Sequence, residues 1–340
     1  MASIYTKEDT IFVQIAAYRD PELQHTLQDL FKKAKCPENI FIGLCHQYDV
    51  RDKSDADLFE IPFPRPQQIR LDELDFREAR GVCYARNRVQ KLWRDEKWTL
   101  MIDSHMRFEQ DWDEILVTIT KDLIAEGIEK PVLSTYVAPY TIENGEMKTV
   151  SSTYVGAEDM LVKMHGSAPI NISKPLLAAF VSMHFCFASA KIIEEIPYDP
   201  YIYFLGEEVS MSARVWTFGW DVFVPHKYTV SHLFLGGDAK KYYRKIADHD
   251  VCDYKKLNAD GRSRVRHLFG TVSCDDAEVL FELEKYGFGT VRTLRDYERF
   301  SGVNFKKILF RERAKESVFS RWDRVLAKDK IKEIFAEIDE

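Results

Sequence analysis

A chain of 340 residues that is 45% hydrophobic and 30% charged has the balance of a folded globular protein and is long enough for one large domain or two ordinary ones. Its net charge of −7 disfavours nucleic acid as the main partner, although a local basic cluster can still grip a small anion. The six cysteines, Cys36, Cys45, Cys83, Cys186, Cys252 and Cys274, form no CxxC pair, which argues against a zinc ribbon or a disulfide framework and for a reducing compartment.

The first ten residues, "MASIYTKEDT", carry no basic stretch followed by an apolar core and do not read as a signal peptide. "TIFVQIAAY" (10–18) is a near-continuous β-rich apolar run, as expected of a strand covered on both faces. A helix should follow it, with Asp20 as cap, Pro21 at its first position and Leu23, Leu27, Leu30 and Phe31 at helical spacing. "NIFIGLCHQYD" (39–49) returns as a second strand. Residues 52–70 hold several prolines and little period, and read as a surface excursion before a helix through "REARGVCYARNRVQKLW" (77–93). Strand "WTLMID", helix "DWDEILVTITKDLIAE" and strand "PVLSTYV" continue the alternation. The first ~140 residues therefore predict a parallel, doubly wound α/β sheet with its ligand site beyond the carboxyl ends of the strands.

Residues 140–178, rich in Thr, Ser, Gly and Asn, predict a less regular excursion near the acceptor side of that site. "AAFVSMHFCFAS" then reads as a core strand, "GEEVSMSARVWTFG" as a helix stopped by Gly219, and "WDVFVP" as another strand. The apolar run 175–190 is interrupted by His184 and is short for a bilayer, so no transmembrane segment is expected and the chain reads as cytoplasmic. Beyond 240 the sequence is charged and helical, and amphipathic over 317–340. That tail can pack on the catalytic part, make a homodimer or rest on a membrane surface, with packing the default. The domain reading is 1–240, with a nucleotide half to about 140 and an acceptor half after it, and a helical region over 241–340 packed on the first.

Four features carry candidate chemistry. Asp103 and His105, two apart in an extended segment, point the same way and make half a shell for a divalent metal, manganese suiting mixed oxygen and nitrogen donors better than magnesium. A lone pair of this kind is, in most proteins, an Asp in a turn beside a surface His. Arg80 and Arg86 bracket Gly81 in "EARGVCYARN". A glycine inside a helix invites close approach of a ligand or of another backbone, and the two guanidiniums could hold a diphosphate or simply form an exposed basic face. Glu207 and Glu208 open a helix after a glycine, where the helix dipole alone favours them and where one could also orient a hydroxyl group. His232, in "YTVSHLFLGG", is either a packed core histidine or a third ligand beside Asp103 and His105.

In order, "IFVQIAAYRDPEL", "ARGVCYARN", "MIDSHMRFEQDWDEIL", "HFCFASAKIIEEIPYDPYIYFLGEE", "SARVWTFGWDVFVP" and "YGFGTVRTLRDYERFSGV" make the chain resemble glycosyltransferase family 60, the hydroxyproline or polypeptide N-acetylglucosaminyltransferases. It is more distantly similar to the mucin-type polypeptide N-acetylgalactosaminyltransferases. The resemblance implies a GT-A fold with a mainly parallel sheet, a UDP-sugar donor, UDP-GlcNAc first, and a divalent cation, Mn2+ before Mg2+. It places the metal on Asp103, His105 and His232, and the nucleotide sugar on Ala17, Tyr18, Arg19, Gln47, Asp49, Arg80, Arg86, Asp103 and Ser104. Glu207 and Glu208 are placed at the reacting sugar and acceptor. It implies retention of the anomeric configuration and transfer to a protein hydroxyl (hydroxyproline, Ser or Thr) or to a glycan. An inactive sugar-nucleotide-binding module on the same fold is the alternative. A nucleotide-sugar hydrolase or nucleotidyltransferase is disfavoured because "AAYRDPEL" is no glycine-rich phosphate loop.

Overall fold

The computed structural model describes residues 5–51, 55–141, 145–146, 151, 153–166, 171–233, 253–311 and 314. The strands are β1 (Ile11–Tyr18), β2 (Ile40–Tyr48), β3 (Ile69–Asp75), β4 (Trp98–Asp103), β5 (Met106–Phe108), β6 (Pro131–Ser134), β7 (Ala138–Thr141), β8 (Gly145–Glu146), β9 (Thr153–Glu158), β10 (Leu161–Gly166), β11 (Leu176–Ala178), β12 (Phe185–Ser189), β13 (Asp221–Val224) and β14 (Val230–Leu233). The helices used below are α1 (Leu23–Lys33), α2 (Val82–Gln90), α3 (Trp112–Ala125), α4 (Lys191–Glu195), α5 (Glu207–Thr217), α6 (Tyr254–Leu268) and α7 (Leu294–Ser301).

An 8-stranded sheet in the order β11-β13-β6-β12-β4-β1-β2-β3 forms the centre. β1 to β4 run parallel, as the alternating strand and helix pattern predicts, and β6 and β13 are parallel to each other. β12 runs antiparallel to both of its neighbours, β4 and β6, and β11 antiparallel to β13. This is an α/β architecture with a mainly parallel sheet. Its two-sided strands bury Phe12, Val13, Ile15, Leu100, Ile102, Leu133 and Phe187, and α3 closes one face with Trp112, Leu116 and Val117.

Several elements differ from the reading of the sequence. β3 starts at the end of the excursion expected over 52–70 and fills a stretch for which the sequence predicts no element. As the edge strand it carries charge along its length, Arg70 pairing with Glu96 and Asp72 with Arg88, and a charged edge leaves no apolar signature. The helix expected over 77–93 is shorter: Gly81 is the residue before α2, with φ +93°, and a Cβ there would lie 2.3 Å from the carbonyl oxygen of Tyr203. The glycine thus serves the approach of another backbone, and Val82 N donates to that same oxygen at 3.1 Å.

The expected excursion over 140–178 contains a regular hairpin, β9–β10. Its two-residue turn, Asp159 and Met160, has φ 50° and 55°, so it is a turn of positive φ built without the Asn-Gly or Asp-Gly signal that marks one in sequence. The core strand expected at 178–189 is shortened to β12, because Ser182 turns back to hydrogen-bond Ser134 and His184. Beyond 253, Trp216 of α5 stacks on Phe300 of α7 at 4.3 Å and Tyr297 donates to the carbonyl of Ala179 at 2.7 Å, joining this region to the same core. The amphipathic segment 317–340, with the dimer or membrane association read from it, lies outside the described residues. Among the described residues no helix is long and apolar enough to cross a membrane.

Candidate active site

A cavity of about 620 Å³ opens at the carboxyl ends of β1, β2 and β4, the edge where doubly wound sheets place their ligands. β1 contributes Ala16 and Tyr18, β2 contributes Gln47, and the turn after β4 contributes Asp103, Ser104 and His105. The period of two in β1 turns the buried Ala17 to the opposite face of the sheet.

Asp103, His105 and His232 offer ligand atoms that all lie within 4.8 Å of one another. β14 brings in His232 from 129 residues away from Asp103: it pairs antiparallel with β5, sets His232 opposite Met106, and donates Leu233 N to His105 O at 3.1 Å. His232 Nε2 stands 3.0 Å from Asp103 Oδ2 and its ring meets that of His105 edge-on at 4.6 Å. One carboxylate and two imidazoles are a donor set for a divalent transition ion. With bonds of roughly 2.0–2.2 Å, neighbouring donors lie about 3 Å apart and opposite ones about 4.4 Å, so the 3.0 Å contact of His232 with Asp103 fits and a spread of up to 4.8 Å needs a shift of a few tenths of an ångström.

The groups behind the three are themselves held. Arg86, at 3% exposure, donates to Asp103 Oδ1 at 2.7 Å and also pairs with Glu207; the two carboxylates hold its guanidinium cationic, well above the ordinary range, against the cost of burial. For Asp103, burial pushes its carboxyl up, but the hydrogen bond from His232 and the charge of Arg86 outweigh it and hold it well below the usual carboxylate range. Asp20 does more than hold the entry to α1. Its Oδ2 accepts from Ser104 Oγ at 2.5 Å and lies 2.7 Å from His105 Nδ1, while Oδ1 accepts from Glu22 N at 2.9 Å.

The paired glutamates part company. Glu207 is committed to Arg86, whereas Glu208 accepts from Met183 N at 3.0 Å and Ser182 Oγ at 3.2 Å, and burial pushes its carboxyl up to about 7. Gly206 just before them has φ +101°, and a Cβ there would meet Val265 at 2.8 Å, so α5 begins tight against α6. His184 is a residue that the sequence reading passes over. β12 runs antiparallel to β4, so its first residues lie beside the last residues of β4, and His184 faces the cavity with its ring 5.2 Å from that of His232. Val137 N donates to its Nε2 at 3.2 Å, and burial lowers its ring to about 3. The interruption of an apolar run by a histidine is the signal that could have found it.

Four other residues that the resemblance assigns to the nucleotide sugar do not line this cavity. Arg19 makes a bidentate pair with Asp55 at 2.8 Å and covers the ring of Phe76. Asp49 pairs with Arg77 at 2.9 Å. Arg80 is exposed and lies over Tyr84, on the far side of the Gly81 turn. Ala17 faces the opposite side of the sheet. The remaining walls come from Val162, Lys163 and Met164 of β10 and from Tyr254 and Asn258 of α6, none of which carries a motif.

A family model described as Glycosyltransferase (GlcNAc) matches residues 10–61 and 60–307. No curated protein sequence matches the chain. Among solved structures, a crystal structure of GalNAc-T7 with UDP, GalNAc and Mn2+ superposes with a TM-score of 0.54 at 15% identity, over 85% of this chain and 56% of that one. The chain thus spans little more than half the length of that neighbour. The likeness is one of fold, and the sheet described above is that of the GT-A class.

Proposed function

The chain belongs to the GlcNAc glycosyltransferase family, and on that premise we propose that it moves GlcNAc from UDP-GlcNAc to a hydroxyl group of a protein or glycan acceptor, with retention of configuration. Membership makes it a hexosyltransferase; the donor, the acceptor and the dependence on a metal are our reading. The observation that carries it is the convergence of Asp103, His105 and His232 on one point of a cavity at the carboxyl edge of the sheet.

A divalent cation bound there, Mn2+ before Mg2+, would neutralise the charge that develops on the diphosphate as the glycosidic bond breaks. Tyr18 and Gln47, which line the cavity at the ends of the first two strands, would receive the nucleoside. Arg86 sits behind Asp103 and orients it, so its charge reaches the diphosphate through that carboxylate's setting more than by direct contact. Glu208 lines the cavity, has no cationic partner in hydrogen-bond range among the described residues, and suits a hydroxyl of the sugar or acceptor.

A retaining double displacement needs an ionised carboxylate free to attack the sugar, whereas Glu207 is locked to Arg86 and Glu208 accepts from Met183 N and Ser182 Oγ with its carboxyl pushed up to about 7 by burial. We therefore assign a same-face reaction: the acceptor oxygen bonds to the anomeric carbon as the bond to the diphosphate breaks, and the acceptor proton passes to the departing diphosphate oxygen. The thiols of Cys36, Cys45, Cys83, Cys186 and Cys274 are all free, which supports a reducing, cytoplasmic location.

UDP release from a panel of UDP-sugars, with and without Mn2+, tests the reading. Manganese-dependent release from UDP-GlcNAc above the other donors is expected. Binding of UDP-GlcNAc without release under any metal would favour an inactive module, and a stable sugar adduct on Glu207→Gln or Glu208→Gln protein would overturn the same-face reaction.

A further inference from the structure

We propose that Asp20 is the positioning residue for the metal ligand His105, fixing the ring so that Nδ1 carries the proton and Nε2 is presented to the cation. This rests on the reading of Asp103, His105 and His232 as metal ligands. Three observations carry it. Asp20 Oδ2 lies 2.7 Å from His105 Nδ1, and a carboxylate, which can only accept, requires the proton to sit on that nitrogen. Asp20 itself cannot swing, because Oδ1 accepts from Glu22 N at 2.9 Å, Oδ2 also accepts from Ser104 Oγ at 2.5 Å, and the residue is 5% exposed.

The turn that carries the ring is fixed by a second group, from helix α1, which follows Asp20. Thr26 Oγ1 lies 2.8 Å from Ser104 O and accepts from Met106 N at 2.9 Å, so the backbone on both sides of His105 is held by α1. The segment "RDPELQHT" thus stands behind His105 as Arg86 stands behind Asp103: each of these two ligands has one atom tied to a partner from outside the ligand set. Ser104, which also lines the cavity, is a member of this brace through its hydroxyl on Asp20 and its carbonyl on Thr26.

Long-range 1H–15N spectra of the metal-free wild-type protein, with the His105 signals assigned from a His105→Gln variant, should show His105 as the neutral Nδ1–H form. Wild-type His105 in the Nε2–H form overturns the proposal whether or not any variant folds. Mn2+ titration followed by electron paramagnetic resonance should show Asp20→Ala binding about 10- to 100-fold more weakly than wild type. Asp20→Asn, which keeps a carbonyl acceptor for Nδ1–H, should recover most of that loss. Full Mn2+ affinity in Asp20→Ala together with weak binding in His105→Ala would overturn the positioning role and leave the ligand set standing. Absence of Mn2+ binding in the wild type would overturn the ligand set, and the role of Asp20 with it.

Discussion

The two sides of the cavity are held together in opposite ways. At the sheet edge the charged groups are buried, or partly so for Asp103, and paired: Glu207 to Arg86, Arg86 to Asp103 and Asp103 to His232 in one chain, with the His105–Asp20 pair meeting it where the two imidazole rings touch. On the facing side, hairpin β9–β10 is tied to α6 through Asp159, whose side chain is 44% exposed and which meets Arg262 at 2.5 Å and Arg266 at 2.7 Å. Buried pairs lose heavily when one partner goes, because the other charge is stranded in a medium of low dielectric; exposed pairs are screened and replaceable. The edge is therefore rigid and intolerant, and the hairpin side is where side chains can change to suit an acceptor without loss of the fold.

The largest expected effect is on catalysis at the edge. Asp103→Ala should lower manganese-dependent UDP release by on the order of 10²–10³-fold, whereas Met164→Ala and Tyr254→Phe on the facing side should stay within about tenfold. Equal losses on both sides would break the comparison. Next, Arg86→Met strands Glu207 and Asp103 and should cost about 3–5 kcal/mol in chemical denaturation, with part of that loss recovered in the Arg86→Met, Glu207→Gln double variant.

A smaller effect concerns pH. Glu208 is raised from an ordinary 4.5 to about 7, so the folded chain binds that proton more tightly than the unfolded chain. Its contribution to stability is complete below about 4.5 and is lost as pH rises through about 7. Relative to wild type, Glu208→Gln should gain on the order of 1–3 kcal/mol between pH 5 and 8. The groups facing Glu208 are Glu207 and Arg86, with His184, Ser182 and Tyr136 around it, and denaturation curves of both proteins across that window give the difference directly. The smallest effect sharpens the other side: Asp159→Ala should change stability by no more than about 1 kcal/mol, and more weakly still in high salt. A cost of several kcal/mol would mean that the hairpin is as deeply anchored as the sheet edge.

Much of this was legible before folding. Continuous apolar runs mark β1, β2 and β4, Gly219 marks the end of α5, and Asp103 and His105 stand together at a strand terminus because two residues of chain put them there. Local sequence could not expose β3, whose charges sit at an edge, or the turn at Asp159 and Met160, which lacks turn chemistry. Nor could it sort residues around one strand end: Tyr18 lines the cavity while Ala17, a single position earlier, faces away, and Arg19, one later, is drawn to Asp55.

The sequence by itself determined that β1, β2 and β4 form, where their carboxyl ends fall and that a carboxylate and an imidazole lie at one of them, because those follow from apolar runs and the two-residue period in neighbouring positions. Only the tertiary structure decided that His232 and His184 join them, that Arg86 and Asp20 stand behind the ligands, and that of two glutamates lining the cavity Glu207 is the one paired with Arg86. Those placements depend on the register of β14 against β5 and the antiparallel run of β12 against β4, pairings between segments far apart in the chain whose energetics no local pattern encodes.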